Sequence, residues 1–403
     1  MPWKATSVLE QRIQFILEWK KRVHDVASLC RVFGISRQTG YKLIRRYLAA
    51  GQNVRALEDL SRRPRTSPHA TRALVVQWII VERRKHSHWG PRKLRVALAK
   101  RLRGTKLPAA STIGDILKRQ GLVQPRARRL RTPPSTQPFA ACDAPNQVWC
   151  VDFKGHFRTG DGTTCYPLTI TDAFSRYLIR CVALEETTTE NALEVFESAF
   201  KEFGLPSAIR SDNGSPFASR AAGGLSELSV WWVQLGIRPE RIEPGKPQQN
   251  GRHERMHLTL KIETASPPAM SFLAQQRRFD RFRAVFNEER PHEALDYATP
   301  SSRYAPSARS YPRELGLPAP GPGVRRVLTN RNGVAEFEDL RIPLGLLLAN
   351  HYVDLLLVAE HIWLVKFGPV ELGLWDESRR YPSLIRPRRR RGPGRKVSAM
   401  SPV

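Results

Sequence analysis

Between residues 147 and 261 the apolar pattern switches period in a fixed order, and this limits the fold more than any other feature of the chain. Residues 147–157, 165–171 and 177–183 read as strands, with Gly160-Asp161-Gly162 as the turn between the first two. Residues 188–203 then repeat at helical spacing through Ala192, Val195, Phe196 and Phe200. Gly204-Leu205-Pro206 stops that helix. A strand follows at Ala208-Ile209-Arg210, then a helix near 225–235, a short strand at 237–242, and a long helix from about Gln248. The order is strand, strand, strand, helix, strand, helix, strand, helix, which defines an α/β core.

Three carboxylates lie within this framework. Asp152 is on the first strand, in Trp149-Cys150-Val151-Asp152-Phe153-Lys154-Gly155. Asp212 ends the fourth, in Ser211-Asp212-Asn213-Gly214-Ser215-Pro216-Phe217. Glu254 is on the last helix, where Asn250, Glu254, Leu258 and Lys261 share a face. Acids brought together from separate elements suit hard divalent cations, which prefer carboxylate oxygen. Two such ions about 3.5–4 Å apart can activate a nucleophile and stabilise a leaving oxyanion in phosphodiester chemistry. Gly214 and Gly251 would let backbone approach closely there.

Five motifs occur in one order: W-x-x-D-F-K-G at 149–155, T-D-A-F-S-R-Y at 171–177, S-D-N-G-S-P-F at 211–217, P-Q-Q-N-G-R-H-E-R with T-L-K at 247–261, and F-N-E-E-R-P-H-E-A-L at 286–295 before Thr299-Pro300. Together they resemble the integrase catalytic core of DDE transposases from bacterial insertion sequences, relatives of retroviral integrases with an RNase H-like fold. The resemblance implies Asp152, Asp212 and Glu254 as catalytic, metal-binding acids, with two Mg²⁺ or Mn²⁺ ions as cofactor. Asp152 would bridge the ions, and Asp212 and Glu254 would each complete one site. Lys261 would neutralise phosphate, and Gln248 and Asn250 would position the DNA end. Asp172 is expected to be structural. Asp212 and Glu254 stand 42 positions apart, more than is common in the family. The excess maps to 221–235, with its Trp231-Trp232 pair, and leaves Glu263 as the nearby alternative third acid.

Two other readings compete. His253-Glu254-Arg255-Met256-His257 matches the H-E-x-x-H pattern of zinc metalloproteases, with Glu263 or His292 available as a third ligand. A helix-turn-helix regulator with a catalytically silent core is the other.

Charge separates the core from its flanks. Of 66 Lys and Arg and 37 Asp and Glu, residues 1–146 hold 31 and 8, residues 147–264 hold 13 and 15, and the remainder 22 and 14. A near-neutral centre between basic flanks suits a catalytic core fed by nucleic-acid-binding modules. Residues 8–48 read as a helix-turn-helix: helices at 11–21 and 25–33, a turn at Gly34-Ile35, and a third helix capped by Ser36. That helix presents Arg37, Gln38, Thr39, Tyr41, Lys42, Arg45 and Arg46 to the major groove. A second helical module follows at 72–85, 91–102 and 112–120, turned by Trp89-Gly90-Pro91 and capped by Ser111.

The expected domains are 1–54 and 70–123 (helix-turn-helix modules joined by a linker at 55–69), a basic linker at 124–146, the integrase core with a helical extension at 147–310, a small SH3-like β-barrel at 320–385, and a disordered basic tail at 386–403. Arg126, Arg128 and Arg129 of the second linker would track a phosphate backbone. The barrel rests on short strand-like runs between 324 and 375. Five cysteines without a C-x-x-C pair suggest reduced thiols in a cytoplasmic, nucleoid-associated protein. No apolar run reaches the length of a membrane span, so no membrane partner is expected. The expected partners are double-stranded DNA, as terminal inverted repeats and target, and further copies of the chain in a dimer or tetramer.

Overall fold

The computed structural model describes residues 7–61, 70–123, 142–242, 251–316, 320–379 and 383–386. The chain divides into two compact units, Met1–Thr71 and Arg72–Val403. Arg126, Arg128, Arg129, Gln248 and Asn250 lie outside the described residues.

The first unit contains α1 (Val8–Lys20), α2 (Val26–Val32) and α3 (Arg37–Ala49). Each begins at a side-chain cap: a Ser7–Glu10 capping box, Asp25, and Ser36 as expected. Phe15, Ile16, Leu29, Cys30, Leu43, Ile44, Tyr47 and Leu57 form its core. Gly34 turns the chain between α2 and α3 in the left-handed region, at φ +63°. Gly40 sits where a Cβ would run into Cys30 Sγ, which lets α3 lie close on α2.

The second unit opens with α4 (Ala73–Lys85), α5 (Pro91–Arg101) and α6 (Ala110–Arg119), packed around Ile79, Trp89, Leu94, Leu98, Ile113 and Leu117. Pro91 starts α5 behind Gly90. Ser111 does not cap α6. The helix starts one residue earlier, with Ala109 at the cap position and no side-chain cap bond, so Ser111 lies inside the first turn.

The central sheet is built from β1 (Val148–Phe153), β2 (Phe157–Arg158), β3 (Thr164–Asp172), β4 (Leu178–Leu184), β5 (Ala208–Ser211) and β6 (Arg238–Arg241). β1 pairs antiparallel with β3 and parallel with β5, β3 pairs antiparallel with β4, and β5 pairs parallel with β6. Helices α7 (Thr189–Phe203) and α8 (Glu227–Gln234) cover one face through Phe196, Phe200, Leu228 and Trp232, against Trp149, Val151, Leu168 and Ile170. Helices α9 (Gly251–Thr264) and α10 (Phe272–Ala284) cover the other through Met256, Leu260, Phe279 and Phe282, against Cys165, Leu178 and Cys181. The expected α/β order is therefore present as a mixed sheet between two helical layers.

The C-terminal segment contains β7 (Val324–Leu328), β8 (Val334–Phe337), β9 (Leu340–Pro343), β10 (Tyr352–Ala359), β11 (Ile362–Phe367), β12 (Val370–Asp376) and β13 (Leu384–Ile385). The expected closed barrel is not formed among the described residues. The strands make an open sheet in the order β13-β12-β11-β10-β7 and a separate β8-β9 hairpin. Closure is not needed to dry the apolar face, because other elements cover it. The hairpin contributes Ala335, Leu340 and Ile342, and the segment that lengthens the Asp212–Glu254 spacing contributes Ala222, Leu225, Val230 and Val233.

That cover is testable. Leu225 is fully buried in the shared cluster, so Leu225→Ala should cost about 2–5 kcal/mol. Hydrogen exchange read by mass spectrometry should quicken across β10–β12 before it quickens in β1. Unchanged protection of β10–β12 would contradict the docking.

Candidate active site

The alternation of β1 decides which way Asp152 faces. Trp149 and Val151 enter the core under α7 and α8, so Asp152 faces the α9 side. Thr169 of β3 is its cross-strand partner and shares that face. Asp212 follows directly on β5, the parallel neighbour of β1. Its Oδ1 accepts the Gly214 N–H at 3.1 Å, and Asn213 Nδ2 ties the same turn to the Ile242 carbonyl at 2.8 Å. A Cβ on Gly214 would lie 3.1 Å from Asp212 Oδ2, so the residue type at 214 leaves room for the carboxylate. Glu254 sits in the first turn of α9 with its side chain exposed.

The electrostatics join these three acids. Burial, together with Asp212 and Glu254 as like charges, raises the Asp152 carboxyl to about 7 against the opposing Lys154. Burial also raises Asp212, against the hydrogen bond from Gly214. The carboxylates are thus close enough to repel. Among the described residues, no three His, Cys, Asp or Glu side chains are closed tightly enough to hold an ion. The donor set itself fits a hard divalent cation: carboxylate oxygens from separate elements, partly dehydrated and short of positive charge.

His253 and His257 of α9 are both buried and lean against β3. Thr169 Oγ1 lies 2.7 Å from His253 Nε2 and 2.7 Å from His257 Nε2, and 3.1 Å from the Asp152 carbonyl oxygen. His253 Nδ1 lies 3.0 Å from Thr171 Oγ1. Burial holds the histidines well below the usual range, at about 3 for His253 and about 2 for His257, the latter helped by His253 and Lys154. Both rings are neutral. Both His253 nitrogens are engaged by threonines, so the paired-histidine zinc site suggested by H-E-x-x-H does not form. Glu263 is committed elsewhere too. Arg290, itself buried, donates to Glu263 at 2.9 Å and reaches Thr259 Oγ1 at 3.4 Å. Neither the histidine–threonine clamp nor the Arg290–Glu263 pair was expected. The signal for the clamp was two histidines four residues apart on α9 and two threonines two residues apart on β3.

Asp172 is structural. It is buried and accepts from Asn146 N at 2.8 Å, Ser175 N at 2.7 Å and Ser175 Oγ at 2.6 Å. Lys261 is exposed on α9. On α3, Arg37, Gln38, Thr39, Tyr41, Lys42 and Arg45 are exposed, while Arg46 is half-buried and donates to the Glu58 carbonyl at 2.6 Å. The motif at 286–295 binds elements together. Asn287 hydrogen-bonds both backbone groups of Leu178, at 2.8 and 3.0 Å. Glu289 pairs with Lys85 at 2.8 Å, and Glu293 with Arg92 at 3.3 Å, holding α4 and α5 to the core. No helix of the described residues is long and apolar enough to cross a membrane.

Comparison with known proteins agrees with this architecture. Residues 143–247 match the integrase core domain, and residues 235–300 match a second integrase core family. Residues 11–65 match a helix-turn-helix domain and residues 39–117 a homeodomain-like domain. The class of domains is thus similar to an integrase core preceded by helix-turn-helix and homeodomain-like domains. The particular kinship is with proteins of bacterial insertion elements. The chain is 30% identical over 186 residues to a protein of insertion element IS407 from Burkholderia multivorans, covering 46% of this chain and 61% of that one. It is 27% identical over 197 residues to a protein of insertion element IS476 from Xanthomonas euvesicatoria, covering 49% and 55%. The chain thus spans between half and two thirds of these relatives. The HTLV-2 integrase catalytic core is similar at 16% identity, with 40% of this chain and 97% of that one covered and a TM-score of 0.30.

The raised Asp152 carboxyl makes a pH prediction. Its folded value of about 7 exceeds the ordinary 3.8, so between these values the folded state holds a proton that the unfolded chain has released. Stability therefore falls as pH rises through that window, and the penalty is complete above it. In EDTA, Asp152→Asn should melt above the wild type at about pH 8, with the gap closing toward about pH 4. Melting curves with the same gap at both ends would show that Asp152 is not under this repulsion.

Proposed function

We propose that the chain is a DDE transposase: a polynucleotidyl transferase that cleaves the ends of its element and joins the freed 3′-hydroxyl to target DNA. The observation that supports this reading is the electrostatic influence of Asp212, after β5, and Glu254, on α9, on Asp152 of β1, whose carboxyl they help to raise. Asp152 would be shared between two divalent ions, Mg²⁺ or Mn²⁺, with Asp212 and Glu254 as the further acids that would hold them. When bound, the ions supply charge neutralisation and activation of the attacking oxygen. The two aspartates take their positions from β1 and β5 and Glu254 takes its position from α9, and together they would hold that centre. Glu254 serves as the third acid, because Glu263 is spent on Arg290.

Around the centre, Lys261 neutralises phosphate, and Gln248 and Asn250 position the DNA end. Arg37, Gln38, Thr39, Tyr41, Lys42, Arg45 and Arg46 read the terminal inverted repeat in the major groove. Arg126, Arg128 and Arg129 follow the phosphate backbone. The domains run as 1–54, 70–123, 147–310 and 320–385, with basic segments at 124–146 and 386–403. Joining two element ends in one event calls for a dimer or tetramer of the chain acting on the nucleoid in the cytoplasm. A DNA-binding regulator with a silent core is the competing reading.

Strand transfer of a labelled duplex carrying the element's terminal repeat, in Mg²⁺ or Mn²⁺ against EDTA, separates the two. Metal-dependent joined product is expected. Asp152→Asn and Glu254→Gln should each lower it by at least about 100-fold with repeat binding intact, and Glu263→Gln should retain it. Specific binding without product in any metal would favour the regulator.

A further inference from the structure

The hydrogens around Thr169 decide the state of His257. The Thr169 hydroxyl has one proton, and it is donated to the Asp152 carbonyl oxygen. Its contacts with His253 Nε2 and His257 Nε2 must then be N–H donors to the same oxygen, which has two lone pairs to receive them. Both rings are therefore Nε2–H tautomers, with bare Nδ1 atoms. His253 spends its Nδ1 on the Thr171 hydroxyl, which donates at 3.0 Å. His257 Nδ1 has no hydrogen-bond donor among the described residues. It faces Asp152 Oδ2 at 3.7 Å.

A bare ring nitrogen this near a carboxylate oxygen is an unfavourable arrangement that a cation between them would resolve. The separation exceeds a hydrogen bond. It is shorter than two metal–donor bonds of about 2.1 Å laid end to end, so one ion can touch both atoms. Nitrogen and carboxylate oxygen together suit a first-row divalent ion. The threonine acts as the outer partner that fixes which ring nitrogen is free, as hydrogen-bond partners of ligating histidines do elsewhere.

We infer that His257 is a further ligand of this centre, its Nδ1 binding the divalent ion carried by Asp152. The inference rests on the proposed metal centre and adds to it a nitrogen donor outside the acidic triad. His257 Nδ1 favours Mn²⁺ over Mg²⁺ at that position, because imidazole is a better ligand for transition ions than for alkaline earths. His253, four residues away on the same face, is no ligand, since both its nitrogens are occupied.

The test uses the full chain with Mn²⁺ and electron paramagnetic resonance. The continuous-wave signal counts bound ion, and pulsed measurement reads nitrogen directly coordinated to it. In wild-type protein carrying ¹⁵N-labelled histidine, Asp152-dependent Mn²⁺ should show a coordinated ¹⁵N coupling. His257→Gln should remove that coupling and weaken Mn²⁺ by roughly 10-fold or more, while His253→Gln should keep the coupling. The labelled wild type decides the matter even if a variant does not fold. Bound, Asp152-dependent Mn²⁺ with no histidine nitrogen coupling overturns the inference and leaves the metal centre standing. A coupling that survives His257→Gln in folded protein overturns it as well. Absence of any Asp152-dependent Mn²⁺ binding overturns the inference together with the metal centre on which it rests.

Discussion

One hydroxyl, that of Thr169, joins the three elements on which the site depends. It donates to the Asp152 carbonyl oxygen of β1 and hydrogen-bonds Nε2 of two histidines of α9, while its own backbone belongs to β3. Two imidazoles buried without partners would each cost about 1–3 kcal/mol. With the threonines in place, three of the four ring nitrogens are satisfied. The register between β1 and β3 puts Thr169 opposite Asp152, so a slip of β1 by one residue would turn Asp152 away from α9. The position of α9, and with it Glu254, is thus tied to the strand that carries the first acid. Packing of Met256 and Leu260 against Cys165 and Cys181 adds area to this connection, and the hydrogen bonds fix its rotation.

The same helix is held from its other end by the motif at 286–295. Arg290 is largely dehydrated, a cost met by Glu263 and by the face of Phe286, whose ring centre lies 5.7 Å away. Asn287 occupies the backbone groups of Leu178, so the motif is sewn to β4. Glu289 and Glu293 look outward to Lys85 and Arg92. These exposed pairs are individually weak. Val285 adds an apolar contact with the helical module of α4–α6. One short stretch therefore ties α9, β4 and a helix-turn-helix module together, which gives these polar residues a common structural purpose.

Much of this was legible beforehand because it depends on local rules. Strand alternation, the glycine and serine signals at Gly34 and Ser36, and the order of elements from 147 to 261 all reappear in the fold. Asp172 as a structural acid was legible too. The misses depend on distant partners. Ser111 has the right chemistry for a cap, but α6 starts before it. The runs between 324 and 375 alternate as barrel strands would, yet whether a sheet closes depends on what else covers its apolar face. Here that cover includes residues 222–233, far away in sequence and noticed only as extra length. Two histidines one turn apart look alike whether they face a metal or a pair of threonines. Only β3, more than eighty residues upstream, distinguishes the cases.

The distribution of charge gives the last constraint. The protein carries a net charge of +29, but almost none of it is spent on the three acids. Lys154 is the cation that lowers Asp152, while Arg210 is drawn to Glu240 at 2.9 Å and Arg290 to Glu263. These arginines are paired with other acids, and burial raises Asp152 and Asp212, with like-charge repulsion adding to the rise at Asp152. A fold selected only for its own stability would gain by placing a cation there. Keeping Asp152 and Asp212 buried with so little compensation costs stability, and on the proposed reading a cation from outside the chain would offset that cost. The net positive charge, meanwhile, lies mostly before position 147, where 31 Lys and Arg face only 8 Asp and Glu. On the proposed reading, the division into an acid-rich core and basic flanks would be the electrostatic form of a division of labour, with cation binding at the acids and polyanion binding around them.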